Sequence, residues 1–262
     1  MSMQDTLRKM VDQVNNKITD DIDVSKVMSS ELNNVIDYKL WEETVAIQIK
    51  FNDSVAPGWF HDKSNKKYDY WMAILDETVE VLSSRHWKWW KNNEEMGQID
   101  WDNIKVELVD LFHFILSLCI QNENQSIIFS QLVNMEVNPL PEEEIRNKKF
   151  FDEFWEHFLM AVHMRLLPVA AVKIVEFWYK IGGNASDLFM EYRIKAALNN
   201  IRQEFGYNQK KYNKLWLDIN SGEMVEDNVM AWKLSENIPL DENTVKVITD
   251  ILRDYYLSNV AI

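Results

Sequence analysis

Apolar residues recur at helical spacing along most of the chain, and polar segments rich in turn-forming residues separate the runs that carry them. The spacing predicts a helix over about 37–52, which the loop signal DSVAPG at 53–58 ends. A second helix is predicted over about 67–85. A third follows at 103–121, with Asp102 as its N-cap.

The rest of the chain shows the same periodicity, with a linker or short helix at 121–141 and a weakly amphipathic, polar start at 1–35. Further helices are predicted at about 142–166, 168–181, 186–205 and 241–255. The chain has only 6 glycines and 5 prolines, too few for the frequent turns of an all-β fold. We therefore expect an all-α, multi-helix bundle in one domain over 1–262, with peripheral helical extensions at 1–35 and 229–262.

Composition and charge narrow the functional class. The 262 residues are 47% hydrophobic and carry a formal net charge of −14, which disfavours binding to nucleic acid or to an anionic membrane surface. The single cysteine, Cys119, excludes an intrachain disulfide and favours an intracellular protein. The start resembles no secretory signal, and charged residues and a proline interrupt the most apolar stretch, 158–178. We expect a soluble, cytoplasmic protein.

Two pairs of carboxylates stand out among the predicted helices. Glu77 and Glu80 lie on the second helix, and Glu107 and Asp110 on the third. The i, i+3 spacing puts both members of a pair on one helix face, next to apolar neighbours. If the two helices pack antiparallel, four carboxylates converge beside the core, where cations must compensate their charge. Oxygen-only ligands favour magnesium.

Other interpretations of these residues remain open. Helices often carry acidic pairs on solvated faces, so one pair alone is weak evidence for a metal site. His113 forms a D-x-x-H with Asp110, which raises the alternative of a di-iron carboxylate bundle. That design takes a Glu-x-x-His from each of two helices, and the segments considered contain none. A buried histidine is more often a core residue than a ligand.

A run of tryptophans and lysines follows the second helix directly, with the sequence WKWWK at 87–91. Three indoles within four residues cannot all enter one core, so some should be partly exposed. An exposed indole beside a lysine suits a planar base and its phosphates. We expect binding roles for Trp87, Lys88 and Lys91, whereas Trp89 and Trp90 could equally be core anchors.

A polar stripe interrupts the otherwise apolar helix predicted at 186–205. Lys195, Asn199 and Arg202 are spaced i, i+4 and i+7, and Gly206 ends the helix. Side chains that could extend this stripe follow, namely Tyr207, Tyr212 and Lys214. Cations, an amide and phenols on one face could bind a polyphosphate, although such stripes are usually solvated.

In order along the chain, these segments resemble the dimeric dUTPases, an all-α family found in kinetoplastids, some bacteria and phages. The resemblance covers roughly 41–120 and 175–228. The matching pieces are AIQIKFND with a downstream GW (46–59), ETVE (77–80), WKWWK (87–91), VELVDLFHF (106–114) and KAALNNIRQEFGY, Y-K-W and EDN (195–228). Ala196 stands where the family often has Asn, and His86 where it often has Pro.

The resemblance implies a function for each piece. Glu77, Glu80, Glu107 and Asp110 would hold two or more magnesium ions, and Glu80 or Glu77 would accept the proton of the attacking water. Gln48 and Asn52 correspond to the base-contacting pair. The residues implied in nucleotide and phosphate binding are Lys195, Asn199, Arg202, Tyr207 and Lys214. The implied activity is hydrolysis of dUTP, and also of dUDP, to dUMP by a homodimer with sites near the subunit interface.

Three alternatives to this function stay open. The first is a related pyrophosphatase that acts on dCTP or a modified deoxynucleotide. The second is the di-iron carboxylate protein. The third is a non-enzymatic helical protein whose acidic face binds partners.

Overall fold

The computed structural model describes residues 36–61, 68–90 and 98–260, and α-helices dominate these segments. The first helices are α1 (Tyr38–Val55), α2 (Tyr70–Ser83), α3 (Trp101–Gln121) and α4 (Gln125–Leu132). They are followed by α5 (Glu142–Ile145), α6 (Lys148–His163), α7 (Leu167–Lys180) and α8 (Ala185–Glu204). Next come a short 3-10 helix (Tyr207–Gln209) and the strands β1 (Leu215–Asp218) and β2 (Glu223–Glu226). The helices α9 (Asp227–Ser235) and α10 (Thr244–Asn259) follow. The predicted all-α class is confirmed, and the helices expected within 1–35 lie outside the described residues.

The larger core is built around α3, which is buried on nearly every side. A helix that is apolar around most of its circumference needs neighbours on all faces, and α1, α2 and α7 supply them. The start of α3 is joined to the end of α2: the Asp100 N–H donates to the Ser84 carbonyl at 2.9 Å, and Asn103 Nδ2 donates to Ser84 Oγ at 2.7 Å. The two helices therefore run antiparallel, as the carboxylate interpretation requires.

A smaller second core lies at the C-terminal side of the chain, and α8 belongs to both cores. The first half of α8 buries Phe189 and Tyr192 in the larger core. Its second half packs Leu198 and Ile201 with the hairpin, α9 and α10. Residues 229–260, expected as a peripheral extension, supply several side chains of this second core, including Ile248, Leu252 and Tyr256. One continuous helix thus connects the two packing units.

Helix boundaries depart from the sequence predictions where a cap is decisive. Asp100, not Asp102, caps α3, because its carboxylate accepts the Asn103 N–H at 3.0 Å. The single helix expected at 142–166 is divided into α5 and α6, because Asn147 is extended and caps α6 by accepting the Lys149 N–H at 2.9 Å. In both cases a side-chain oxygen satisfies a backbone donor that the helix itself leaves free.

The hairpin β1–β2 was not predicted. Its strands pair antiparallel from Leu215 with Glu226 to Asp218 with Glu223, and Gly222 adopts a φ of +75° at the turn. An isolated two-stranded ribbon has marginal stability in water, so it needs support from its surroundings. Burial of Trp216 in the second core provides that support.

Within the described parts of the chain, no helix combines the length and the apolar character needed to cross a bilayer.

Mutations can show which of the two aspartates, Asp100 or Asp102, caps α3. We expect Asp100→Ala to lower the free energy of unfolding by about 1 kcal/mol, because it leaves the Asn103 N–H without its acceptor. Asp100→Asn keeps an acceptor and should stay close to the parent. Asp102→Ala should cost only the weaker helix-dipole contribution, about 0.3–1 kcal/mol. Urea denaturation would measure all three, and a larger loss from Asp102→Ala would contradict the assigned cap.

Candidate active site

Three carboxylates converge where α2 packs on α3. Glu77 comes from α2, and Glu107 and Asp110 come from successive turns of α3. One oxygen from each lies within 4.8 Å of the other two. Glu107 is buried, and the other two are half-buried. Side chains that were predicted from local spacing to share helix faces therefore meet across the helix interface.

The charges in this group are partly compensated within the protein. Burial, and then the charge of Asp110, raise the pKa of both Glu77 and Glu107 well above the usual range of a glutamate. The two glutamates also share a hydrogen bond, so one proton between them removes part of the like charge. Asp110 Oδ2 is paired with Lys195 Nζ from α8 at 2.6 Å. One proton and one ammonium thus reduce the repulsion among three carboxylates.

Glu80 stands apart from these three. It is exposed, one turn beyond Glu77 on α2, and does not belong to the group of oxygens within 4.8 Å. Its charge nevertheless contributes to the raised pKa of Glu77. The structure therefore brings three of the four predicted carboxylates together and leaves the fourth at the solvent-facing side.

The donor set fits a hard divalent cation. Three carboxylates in a half-buried group offer oxygen ligands only, which magnesium prefers. His113 is not among them, and its Nδ1 lies 2.6 Å from Gln48 Oε1. The described residues therefore provide no Glu-x-x-His ligand pair for a di-iron centre.

A buried network of polar side chains connects α1, α3 and α8 beside the carboxylates. Gln48 and Asn52, one turn apart on α1, are almost fully buried and hydrogen-bonded to each other. Both contact Ser117 Oγ at 2.9 Å. Gln48 Oε1 also contacts His113 Nδ1 and the Tyr192 hydroxyl. The proposed base-contacting pair thus belongs to an ordered hydrogen-bond network.

The predicted polar stripe of α8 leads into a second charged group. Arg202 donates two hydrogen bonds to the buried Asp227, at 2.9 and 2.8 Å, and one to Asn228 Oδ1 at 3.2 Å. The Tyr212 hydroxyl donates to Asp227 Oδ2 at 2.9 Å. Asn199 Oδ1 lies 3.5 Å from Arg202 Nη1. Asp227 therefore holds the Arg202 guanidinium in one orientation.

The Tyr207 ring lies between two cations at the edge of this group. Its centroid is 5.7 Å from the Arg202 guanidinium and 5.3 Å from Lys214 Nζ, which are cation–π distances. Tyr207 and Lys214 are exposed, so this end of the stripe faces solvent. The residues predicted to bind phosphates thus extend from the carboxylate group, at Lys195, to the surface.

The described part of the tryptophan–lysine run, residues 87–90, lies at the surface, as the sequence predicted for some of its indoles. Trp87, Trp89 and Trp90 are all exposed, Trp89 to 75%, so none is a core anchor within this chain. Their rings pack edge to face, with Trp87–Trp90 centroids 5.1 Å apart. Lys88 is half-buried, and Lys91 lies outside the described residues.

Three residues of these networks were not selected from the sequence. Ser117 extends a polar stripe of α3 that runs through Glu107, Asp110 and His113, and this spacing could have identified it. Tyr192 carries no comparable local signal, and Asp227 lies within the EDN piece of the resemblance but was not singled out. They enter the site only because α8 and α9 pack where they do.

Comparison with known proteins agrees with this geometry. A family model described as dUTPase matches residues 40–207, more than half of the chain. The chain therefore belongs to the dimeric, all-α dUTPase family, and its activity is hydrolysis of dUTP. The match includes the carboxylate group and the buried amides and ends before Lys214 and Asp227. No curated protein matches the chain.

The raised pKa values predict a pH dependence of stability for the metal-free protein. A carboxyl whose folded pKa exceeds its unfolded value, about 4.3, binds more protons in the native state, so stability falls as pH rises above that value. Glu107→Gln replaces one of these carboxyls with an amide, which stays neutral throughout the pH range. The variant should resemble the parent near pH 4 and gain stability relative to it on approach to neutral pH.

The measurement is a series of denaturation curves in excess chelator between about pH 4 and 8. Glu143→Gln, on the exposed α5, controls for simple loss of a negative charge. A stability difference between Glu107→Gln and the parent that does not change with pH would contradict the crowding of charge at this site.

Proposed function

We propose that this chain is a magnesium-dependent dUTP diphosphatase that converts dUTP to dUMP and pyrophosphate, and dUDP to dUMP and phosphate. The observation that carries the proposal is the convergence of Glu77, Glu107 and Asp110 from two antiparallel helices. Three crowded carboxylates repel one another without a cation, so their convergence fits a metal site. In the cytoplasm, this reaction would keep uracil out of DNA.

The metal ligands in this proposal are the three clustered carboxylates together with Glu80, which would hold two or more magnesium ions. The ions would neutralise charge on the phosphate chain and activate a water molecule. Before metal binds, Lys195 holds Asp110 in place and Glu77 and Glu107 share a proton. Metal binding should therefore release the proton and free the ammonium for a phosphate.

Glu80 and Glu77 are the candidates for accepting the proton of the attacking water. Glu80 is exposed to solvent water and lies one turn from Glu77. A general base must reach its water within hydrogen-bond distance and should not be fully committed elsewhere. In the metal-free protein Glu80 meets the second requirement best, because it is outside the three-carboxylate group.

Positive side chains supply the phosphate contacts. Lys195 lies at the carboxylate group. Arg202 and Lys214 lie closer to the surface, and Asn199 and Tyr207 lie beside them. Arg202 is fixed by Asp227, so it loses little freedom on binding an anion. Trp87, Lys88 and Lys91 would also contact the nucleotide. Gln48 and Asn52 would read the base.

An apolar surface on α2 and α6 supports a homodimer. Met72, Leu75 and Val79 form an exposed stripe at i, i+3 and i+7 on α2, and Leu159 and Met164 lie on the neighbouring part of the chain. An exposed stripe of this kind marks an interaction surface. α2 also carries Glu77 and Glu80, so a symmetric interface here would place the second subunit beside the metal site.

A nucleotide panel tests the activity directly. Deoxy- and ribonucleoside triphosphates are incubated with the protein and magnesium, and pyrophosphate release is measured. We expect dUTP to be hydrolysed fastest, dUDP to release phosphate, and chelator to abolish both reactions. Preference for dCTP or a modified deoxynucleotide would establish the related pyrophosphatase instead. No metal-dependent turnover of any nucleotide would refute the proposal.

Single charge removals test the ligands. Glu77→Gln should lower turnover by about 100-fold or more, because the cluster loses a ligand. The same variant should be more stable than the parent in chelator, because like charge is removed from a half-buried group. Glu80→Gln should also lower turnover, but with little change in metal-free stability. Glu143→Gln is the surface control, and near-normal turnover in both site variants would rule out the assigned roles.

The dimer prediction concerns the apolar stripe on α2. Val79→Asp places a charge at the centre of the proposed interface, so sedimentation at micromolar concentration should show a dimer for the parent and a monomer for the variant. Leu257→Asp changes an equally exposed apolar residue on α10 and should leave the dimer intact. A Val79→Asp protein that sediments like the parent would place the interface elsewhere.

A further inference from the structure

The hydroxyl of Ser117 determines the direction of the hydrogen bonds around Gln48 and Asn52. Ser117 Oγ donates its single proton to the His113 carbonyl at 2.8 Å. A backbone carbonyl can only accept, so the serine oxygen must accept in its other contacts. Those contacts are Gln48 Nε2 and Asn52 Nδ2, each at 2.9 Å. Both amide NH₂ groups are therefore required to face Ser117.

The orientation of Gln48 follows from this requirement. Its Oε1 points away from Ser117 and accepts from His113 Nδ1 at 2.6 Å and from the Tyr192 hydroxyl. Burial lowers the pKa of His113 to about 4, so the ring is neutral and has one proton. That proton must lie on Nδ1, which leaves Nε2 bare, and Nε2 has no partner among the described residues.

Asn52 is then the amide with capacity left for a ligand. Its Oδ1 accepts from Gln48 Nε2 at 3.1 Å, and its Nδ2 gives one hydrogen to Ser117. One N–H and one lone pair remain, on opposite edges of an amide that is almost fully buried, so the N–H can donate to a single acceptor of the base. In the nucleotide-free protein Gln48 uses both hydrogens and both lone pairs within the network, so it holds Asn52 in one orientation before the base binds.

A fixed amide orientation discriminates between pyrimidines. Uracil presents an acceptor at O4 beside a donor at N3, whereas cytosine presents a donor at N4 beside an acceptor at N3. With the sugar and phosphates held in one place, an amide that pairs with uracil must turn over to pair with cytosine. Without Ser117, each remaining side chain of the network can donate or accept, so nothing prevents that turn.

We propose that Ser117 is the positioning residue for base selection: its hydroxyl fixes the orientation of the Gln48 and Asn52 amides, and that orientation favours uracil over cytosine. The proposal rests on the proposed role of these amides in reading the base. It assigns to the serine an effect on the choice of nucleotide rather than on the rate of phosphate cleavage.

The first test is kinetic. The ratio of kcat/KM for dUTP to that for dCTP is measured in the parent, Ser117→Ala and Ser117→Thr. The alanine variant should lower the ratio about tenfold or more, the loss expected when a site no longer rejects a mismatched hydrogen-bond pattern. The threonine variant keeps a hydroxyl and should retain the preference. Ser235→Ala is the matched control, because it removes a buried serine with the same bond to the carbonyl four residues earlier, 2.7 Å long, in α9.

The second test does not need activity. The ¹⁵N resonances of His113, recorded on the full chain without nucleotide, should show a protonated Nδ1 and a bare Nε2 in the parent and in Ser235→Ala. Ser117→Ala should show a mixture of the two tautomers. Should the alanine variant fail to fold, Ser117→Cys gives a side chain of similar size with a weak acceptor in both measurements.

The outcomes separate this proposal from the proposed function. An active parent and a folded Ser117→Ala with an unchanged ratio and a single His113 tautomer would refute the role of Ser117 alone. A parent that hydrolyses neither dUTP nor dCTP would refute both. A lowered ratio, a mixed tautomer and rescue by threonine would together support the assignment.

Discussion

The repulsion among three half-buried carboxylates between α2 and α3 is the constraint around which the site is organised. The antiparallel packing of these helices brings one oxygen each of Glu77, Glu107 and Asp110 within 4.8 Å of one another. In the metal-free protein a proton shared by Glu77 and Glu107 and the ammonium of Lys195 reduce the repulsion. Both compensations are reversible, so the same three carboxylates could become available to a divalent cation.

Lys195 connects this constraint to the rest of the fold, because it comes from the helix that spans both cores. Its half of α8 also carries Arg202, which Asp227 from α9 orients. The second core thereby positions the positively charged side chains of α8, and the larger core positions the carboxylates. A polyphosphate that contacts both groups would be held between the two packing units.

Local spacing was enough to identify much of the site. The i, i+3 carboxylate pairs and the i, i+4, i+7 stripe on α8 depend only on helix geometry, and a helix determines which of its own side chains share a face. The same logic could have included Ser117, since it continues the polar stripe of α3. The wrong cap at Asp102 and the missed hairpin show where local patterns are ambiguous. A cap depends on which of two nearby aspartates is extended, and a short strand pair depends on the core that buries Trp216.

The sequence by itself determined the helical class, the faces of α1, α3 and α8, and the residue types suited to metal, base and phosphate. Tertiary structure decided which faces meet. It separated Glu80 from the other carboxylates, paired Lys195 with Asp110 across 85 positions, and placed Ser117 against Gln48 across 69. The physical reason is that the periodicity of a helix depends only on residues that are near neighbours along the chain. Contacts between helices instead depend on how apolar faces pack, and no short segment contains that information.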